Sequence, residues 1–257
     1  MRFVNTIFLL LLLGSCRKDP VSSARVIGHA ATGLGVPNAI YHDNSIEAIQ
    51  YALALPNCSG VEVDVRRDSE GKLWLFHDED LSSQTNLTGK VETSNAAALI
   101  QGYYNTIHQE ALTPLNSTTL DQLAKGYTFL DIKSVNPSNM EDMKISLLAL
   151  NLDTSKCALI VPSFAYYSHF NNAFPVYLFV EDFDDLSNSI LANNPNLRGI
   201  CIRNKNITRE QVNFLKSIHK KTVIFEVRSP KGIREALGKD PYFLLTDDLK
   251  LSLALRY

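Results

Sequence analysis

Short apolar segments alternate along this chain with capped stretches of helix length, and that alternation restricts the fold more than any other feature. The segments fall at Arg25–His29, Gly60–Val65, Leu73–His77, Tyr127–Lys133, Cys157–Pro162, Val176–Val180, Gly199–Ile202 and Thr222–Val227. After Ser45, the residues Ile46, Ile49, Ala52 and Leu53 share one helical face. Ser138 with Glu141 and Thr208 with Gln211 have capping-box spacing, and Ser229–Pro230 sets a cap residue before a proline at the first helical position. Strands separated by helices build a parallel sheet, and a chain of 257 residues suits one closed barrel, for which ~250 residues is usual. The expected fold is therefore α/β, a single-domain TIM (β/α)8 barrel. Two irregularities are expected in it. No full helix separates strands 2 and 3, which are joined by the polar turn Asp68, Ser69, Glu70, Gly71, and the stretch over residues 81–119 is long enough to be either binding surface or a tolerated loop.

The chain is 45% hydrophobic and 20% charged, which is the composition of a globular protein rather than a disordered one. A formal charge of -2 without a basic cluster excludes a nucleic-acid partner. The front of the chain does not read as part of the barrel. Arg2 is followed by an apolar run from Ile7 to Leu13 that is too short to span a bilayer, then by Gly14, Ser15 and Cys16. Residues 1–15 read as a signal peptide, residues 16–24 as a polar tether and residues 25–257 as the body. "LGSC" resembles the lipobox of bacterial lipoproteins, in which the cysteine is lipidated; a plain signal peptide with an incidental Cys16 is the alternative. Cys58, Cys157 and Cys201 remain, and the apolar surroundings of the latter two point to buried thiols rather than to a disulfide framework.

The ionisable residues gather where a barrel places its chemistry. His29 ends the first apolar segment, Glu62 and Asp64 lie in the second, His77 ends the third, and Asp131 and Lys133 lie in the fourth. The C-terminal ends of barrel strands converge on one mouth, so these six residues are expected at one site. Glu62 and Asp64 are two apart and share a strand face, opposite Val61, Val63 and Val65. Three carboxylates without a cysteine favour a hard divalent ion, Ca²⁺ or Mg²⁺. Two near-neutral histidines are then candidate acid and base. Three negative charges against a dication and Lys133 sum to zero, so such a site accepts a monoanionic phosphodiester without like-charge repulsion.

In order, the segments "IGHAATG", "DNSIEAIQYAL", "GVEVDVRRDSEGKLWLFHDEDL", "LTPLNSTTLDQL", "FLDIK" and "LLTDD" resemble the glycerophosphodiester phosphodiesterase family. The resemblance runs over residues 26–248 and is densest over residues 60–81. It implies a metal-dependent TIM barrel that hydrolyses glycerophosphodiesters to glycerol phosphate and an alcohol. It further implies His29 and His77 as the acid/base pair, Glu62, Asp64 and Asp131 as metal ligands, Lys133 near the phosphate, and Asn44 in the site. Three positions depart from the pattern: Ala30 stands where the family has a phosphate-binding arginine, Asp43 precedes Asn44 and Ser45 in place of a glutamate, and Asp131 is one methylene shorter than the usual glutamate.

The activity expected is metal-dependent, two-histidine hydrolysis of a small-molecule phosphodiester by an exported lipoprotein, membrane-anchored on the periplasmic or outer-membrane face. A phosphoinositide-type phospholipase and a non-catalytic lipid-anchored binding protein on the same barrel are the alternatives; which histidine is the acid stays open. If Cys16 carries lipid, cell fractionation should find the protein with membranes, and Cys16→Ser should release it or leave the precursor uncleaved. Wild-type protein wholly in the soluble fraction would refute the anchor.

Overall fold

The structure, a computed structural model, describes residues 22–256 except 38, 134–136, 184–190 and 192, so the leader and Cys16 lie outside the described residues. Ten strands occur among the described residues: β1 (Arg25–Gly28), β2 (Gly60–Arg67), β3 (Leu73–Leu75), β4 (Thr113–Pro114), β5 (Tyr127–Ile132), β6 (Cys157–Val161), β7 (Val176–Val180), β8 (Leu197–Arg203), β9 (Lys221–Phe225) and β10 (Phe243–Thr246). Eight of them run parallel in the order β1, β10, β9, β8, β7, β6, β5, β2, and pairing of β1 with β2 closes the ring. This is the expected TIM barrel.

Helices α1 (Ile46–Ala54), α2 (Ala96–Leu99), α3 (Ser117–Leu123), α4 (Met140–Ala149), α5 (Phe164–Phe170), α6 (Arg209–Ser217), α7 (Pro230–Gly238) and α8 (Leu249–Leu255) occupy the connections. Ser45 caps α1, the Thr208–Gln211 capping box is formed in both directions, and Ser229 caps α7 with Pro230 following it. The expected box at Ser138 and Glu141 is not made. A 3₁₀ turn over Pro137–Asn139 takes up Ser138, and Asn139 caps α4 without a side-chain hydrogen bond.

The apolar residues separate into two layers. Val61, Val63 and Val65 face the helices in one large cluster with Ala48, Ile49 and Leu130, while Ile27, Phe129, Ile160, Tyr177 and Phe243 fill the barrel interior. The alternation along β2 therefore sends its valines to the helix layer and Glu62 and Asp64 inward, where they are 1% and 0% exposed. Gly60 begins the strand at φ 155°, and a Cβ there would sit 1.8 Å from the Tyr127 carbonyl oxygen, so only glycine lets β2 approach β5 at this end. Cys157 and Cys201 are buried free thiols, as their surroundings indicate, and Cys58 is free and partly buried.

The strand reading needs two corrections. Leu73–His77 is not a stave: β3 runs antiparallel to β2, with Val65 opposite Leu75 and Arg66 opposite Trp74, and then pairs antiparallel with β4. A tight turn can join only antiparallel strands, because a parallel pair needs a crossover of a dozen or more residues. The eighth stave is β10, a four-residue strand that the sequence reading did not assign as a strand. The long connection is a packed insertion rather than a loose loop, since Leu81, Val91, Leu99, Tyr104 and Leu112 cluster with Trp74 and Phe76 of the hairpin.

Candidate active site

Neighbouring staves bring the three carboxylates together. Asp64 of β2 stands directly opposite Asp131 of β5, and Glu62 is one strand repeat below. One oxygen from each of Glu62, Asp64 and Asp131 lies within 4.8 Å of the others. Lys133, just past β5, places its ammonium 2.7 Å from Asp64 Oδ1 and 2.7 Å from Asp131 Oδ2. Asn44 is fully buried, donates to Asp64 Oδ2 at 2.6 Å and accepts from the Asp64 backbone N–H at 2.9 Å. Both ends of its amide are thus spent on Asp64, which places it behind the acid as a positioning residue rather than facing a substrate.

Glu62 is the acid left incompletely satisfied. Its Oε2 accepts from the Ala30 N–H at 2.8 Å, but its buried Oε1 has no partner. Asp64 Oδ1 is instead ion-paired with the Lys133 ammonium at 2.7 Å. Burial, reinforced by the Asp64 charge, pushes the Glu62 carboxyl up to about 8. Burial acts on Asp64 in the same sense, but Lys133, His77 and Asn44 outweigh it and hold Asp64 below the usual carboxylate range. An all-oxygen donor set with an unpartnered buried oxygen fits a hard divalent cation, whose charge would hold Glu62 ionised.

Each histidine is oriented by its own aspartate through Nδ1. His29 pairs with Asp247 Oδ1 at 2.7 Å and His77 with Asp78 Oδ1 at 2.8 Å. Asp247, 4% exposed, also accepts from the Leu34 N–H at 2.9 Å and from Arg228 Nε at 2.8 Å. Burial opposes a charge on His29, yet the Asp247 hydrogen bond and the Glu62 charge prevail and raise it to about 9. Without a metal, His29 therefore lies above the near-neutral value expected from the sequence. His77 reaches the mouth by the hairpin rather than by ending a stave: Phe76 N–H donates to the Asp64 carbonyl at 3.0 Å, which brings the next residue over the acids. Arg66 then grips the His77 carbonyl through Nη2 at 2.8 Å and Nε at 3.3 Å, while Glu92 of the insertion holds its Nη1 at 2.6 Å.

His29, His77, Glu62, Asp131 and Lys133 line one cleft of about 270 Å³ at the C-terminal mouth, with Asp64 and Asn44 buried behind them. The sequence reading missed Asp247, Arg203 and Arg228, which line the same cleft. Asp247 sits in "LLTDD", a segment noted for its resemblance without a role; the two arginines carry no spacing signal that could have found them. Ala30 is fully enclosed at φ 43°, so that position supplies no cation to the cleft. Asp43 stays outside the carboxylate cluster, accepting from the Gly35 N–H at 2.9 Å and pairing with His42 at 3.3 Å. No helix among the described residues is long and apolar enough to cross a membrane.

A model of the glycerophosphoryl diester phosphodiesterase family matches residues 33–252, a stretch that begins just after His29 and contains the other site residues. No curated protein matches the sequence. Among solved structures, a phosphodiesterase of Oleispira antarctica in complex with the product sn-glycerol-3-phosphate is similar, with a TM-score of 0.77 at 16% identity, covering 90% of this chain and 96% of that one. A glycerophosphodiester phosphodiesterase of Thermotoga maritima gives 0.73 at 17%, covering 91% and 98%. One from Parabacteroides distasonis gives 0.72 at 18%, covering 90% and 97%. At these identities the likeness shows the barrel.

The two raised groups predict how metal-free protein responds to pH. Glu62 and His29 both hold a proton more tightly folded than unfolded, moving from 4.5 to about 8 and from 6.5 to about 9. Their contribution to stability is present in full below the unfolded values and is lost as pH rises through the folded ones. Thermal melts of chelator-treated protein should therefore show stability falling from about pH 4.5 to 9, most steeply between 6.5 and 8, with Glu62→Gln losing the part of the fall below pH 6.5. A flat profile in the wild type would contradict the assigned environment of both groups.

Proposed function

The chain belongs to the glycerophosphoryl diester phosphodiesterase family and is a phosphodiesterase, and from that premise we propose that it hydrolyses glycerophosphodiesters to glycerol phosphate and an alcohol in the barrel-mouth cleft. The observation that carries this reading is the meeting of His29, His77, Lys133, Glu62 and Asp131 around one cavity, with Asp64 clustered behind the two acids. Glu62, Asp64 and Asp131 would hold one divalent cation, Ca²⁺ or Mg²⁺, which when bound supplies positive charge to the phosphoryl oxygens.

The chain's own residues account for the proton traffic. With Nδ1 of each histidine bonded to an aspartate, Nε2 is the nitrogen left to exchange protons with the diester. His29 carries its proton at neutral pH and is the donor to the departing alkoxide; His77 takes the proton of the attacking hydroxyl. Asp247 and Asp78 orient the two rings, Arg66 fixes the His77 backbone, and Lys133 adds positive charge where the phosphate arrives. The N-terminal "LGSC" segment supports an exported lipoprotein anchored to a membrane through Cys16, which lies outside the described residues.

Purified protein should hydrolyse a glycerophosphodiester only with a divalent cation present, and His29→Ala or His77→Ala should each lower kcat by about 10²-fold or more, with the double variant little worse than either. The rate should fall at alkaline pH as His29 loses its proton. Full activity in either single variant would refute the two-histidine reading.

A further inference from the structure

Across the mouth from the carboxylates, one cation is enclosed by two aromatic rings and two acids. Arg203 ends β8; Phe179 of β7 and Phe225 of β9 lie on either side, with Arg203 and Phe225 in register. The guanidinium carbon is 5.7 Å from the Phe179 ring centre and 5.6 Å from that of Phe225. Arg203 Nε is 3.3 Å from a Glu226 carboxylate oxygen, and Nη1 pairs with Glu181. Phe225 also meets His29 edge to face at 6.4 Å, so this group borders the position proposed for the reacting phosphate.

The two rings meet at 5.7 Å and 49°, and such an open aromatic corner flanked by carboxylates is a surface that can receive a quaternary ammonium group. Here the chain's own guanidinium fills it. We infer that Arg203 determines specificity for the alcohol arm of the diester: it admits an uncharged polyol and disfavours an arm ending in a quaternary ammonium. A polyol arm finds guanidinium N–H donors and the Glu226 acceptor at the wall, whereas a quaternary ammonium finds both ring faces already covered by the guanidinium. This inference rests on the proposed phosphodiesterase reading, since that reading places the diester in the cleft.

The test compares kcat/KM for glycerophosphoglycerol and glycerophosphocholine in wild type, Arg203→Ala and Arg203→Gln, the last keeping most of the side chain without its charge. Binding of free choline is measured by calorimetry on the same proteins. Wild type should favour the polyol diester and give no heat with choline. Both variants should shift the ratio toward the choline diester by about tenfold or more, and Arg203→Ala should bind choline. A ratio unchanged in both variants, or a wild type that prefers the choline diester, would overturn the inference. If no protein hydrolyses either diester, the phosphodiesterase reading fails, and choline binding by Arg203→Ala then decides the aromatic corner: heat supports it and none removes it.

Discussion

Glu62 and Asp64 are buried on one strand with Asp131 facing them across the ladder, and that concentration of negative charge sets the terms for everything built around it. Carboxylates taken out of water need partners, because an unpaired buried charge costs several kcal/mol or shifts its pKa until it is neutral. The chain supplies some of what is needed. Lys133 bridges Asp64 and Asp131, and Asn44 gives Asp64 both a donor and an acceptor. To do so Asn44 adopts φ 59°, a left-handed conformation that asparagine tolerates, with its N–H on the Ala30 carbonyl. Glu62 has one hydrogen bond, from the Ala30 N–H, with His29 Nε2 3.9 Å from the same oxygen, and its Oε1 has no partner. The deficit left at Glu62 is what a dication at this place would correct.

The rest of the mouth is arranged relative to those acids by elements that are not all staves. β2 carries Arg66 past the barrel rim into an antiparallel hairpin, whose return puts His77 beside Asp64. The insertion over residues 81–112 makes its own apolar cluster on that hairpin and sends Glu92 to pin Arg66. On the other flank of β2, past β1, Asp247 follows the end of β10, holds His29 and is itself held by Arg228 and the Leu34 N–H. His29 thus depends on a chain segment distant in sequence, whereas His77 is held locally by Asp78, with Arg66 on its carbonyl and Glu92 of the insertion behind Arg66.

What the sequence disclosed and what it hid have physical causes. The valine–acid alternation of residues 61–65 discloses a strand with two carboxylates on one face, because period-two geometry leaves no other choice, but that this face is the barrel interior comes only from the closed sheet. His29, Asp131 and Lys133 are legible for a related reason, as polar residues at the ends of apolar segments. The hairpin was misassigned because an apolar segment does not state its direction; the shortness of the turn does. β10 was missed because four residues give too little periodicity to recognise. Asp247, Arg203 and Phe225 act through partners tens to hundreds of positions away, and pairing at that distance leaves no local trace. Asn44 was found by resemblance, but only the structure shows its amide committed to Asp64.

The central claim is that Glu62, Asp64 and Asp131 form a single divalent-cation site serving the cleft. Electron paramagnetic resonance with Mn²⁺ as the probe tests it directly by counting bound ions in protein stripped of metal. The account predicts one Mn²⁺ per chain, displaced by Ca²⁺ or Mg²⁺, and lost in Asp64→Asn while the variant remains folded. Wild-type protein that binds no Mn²⁺, or an Asp64→Asn variant that binds it undiminished, would contradict it.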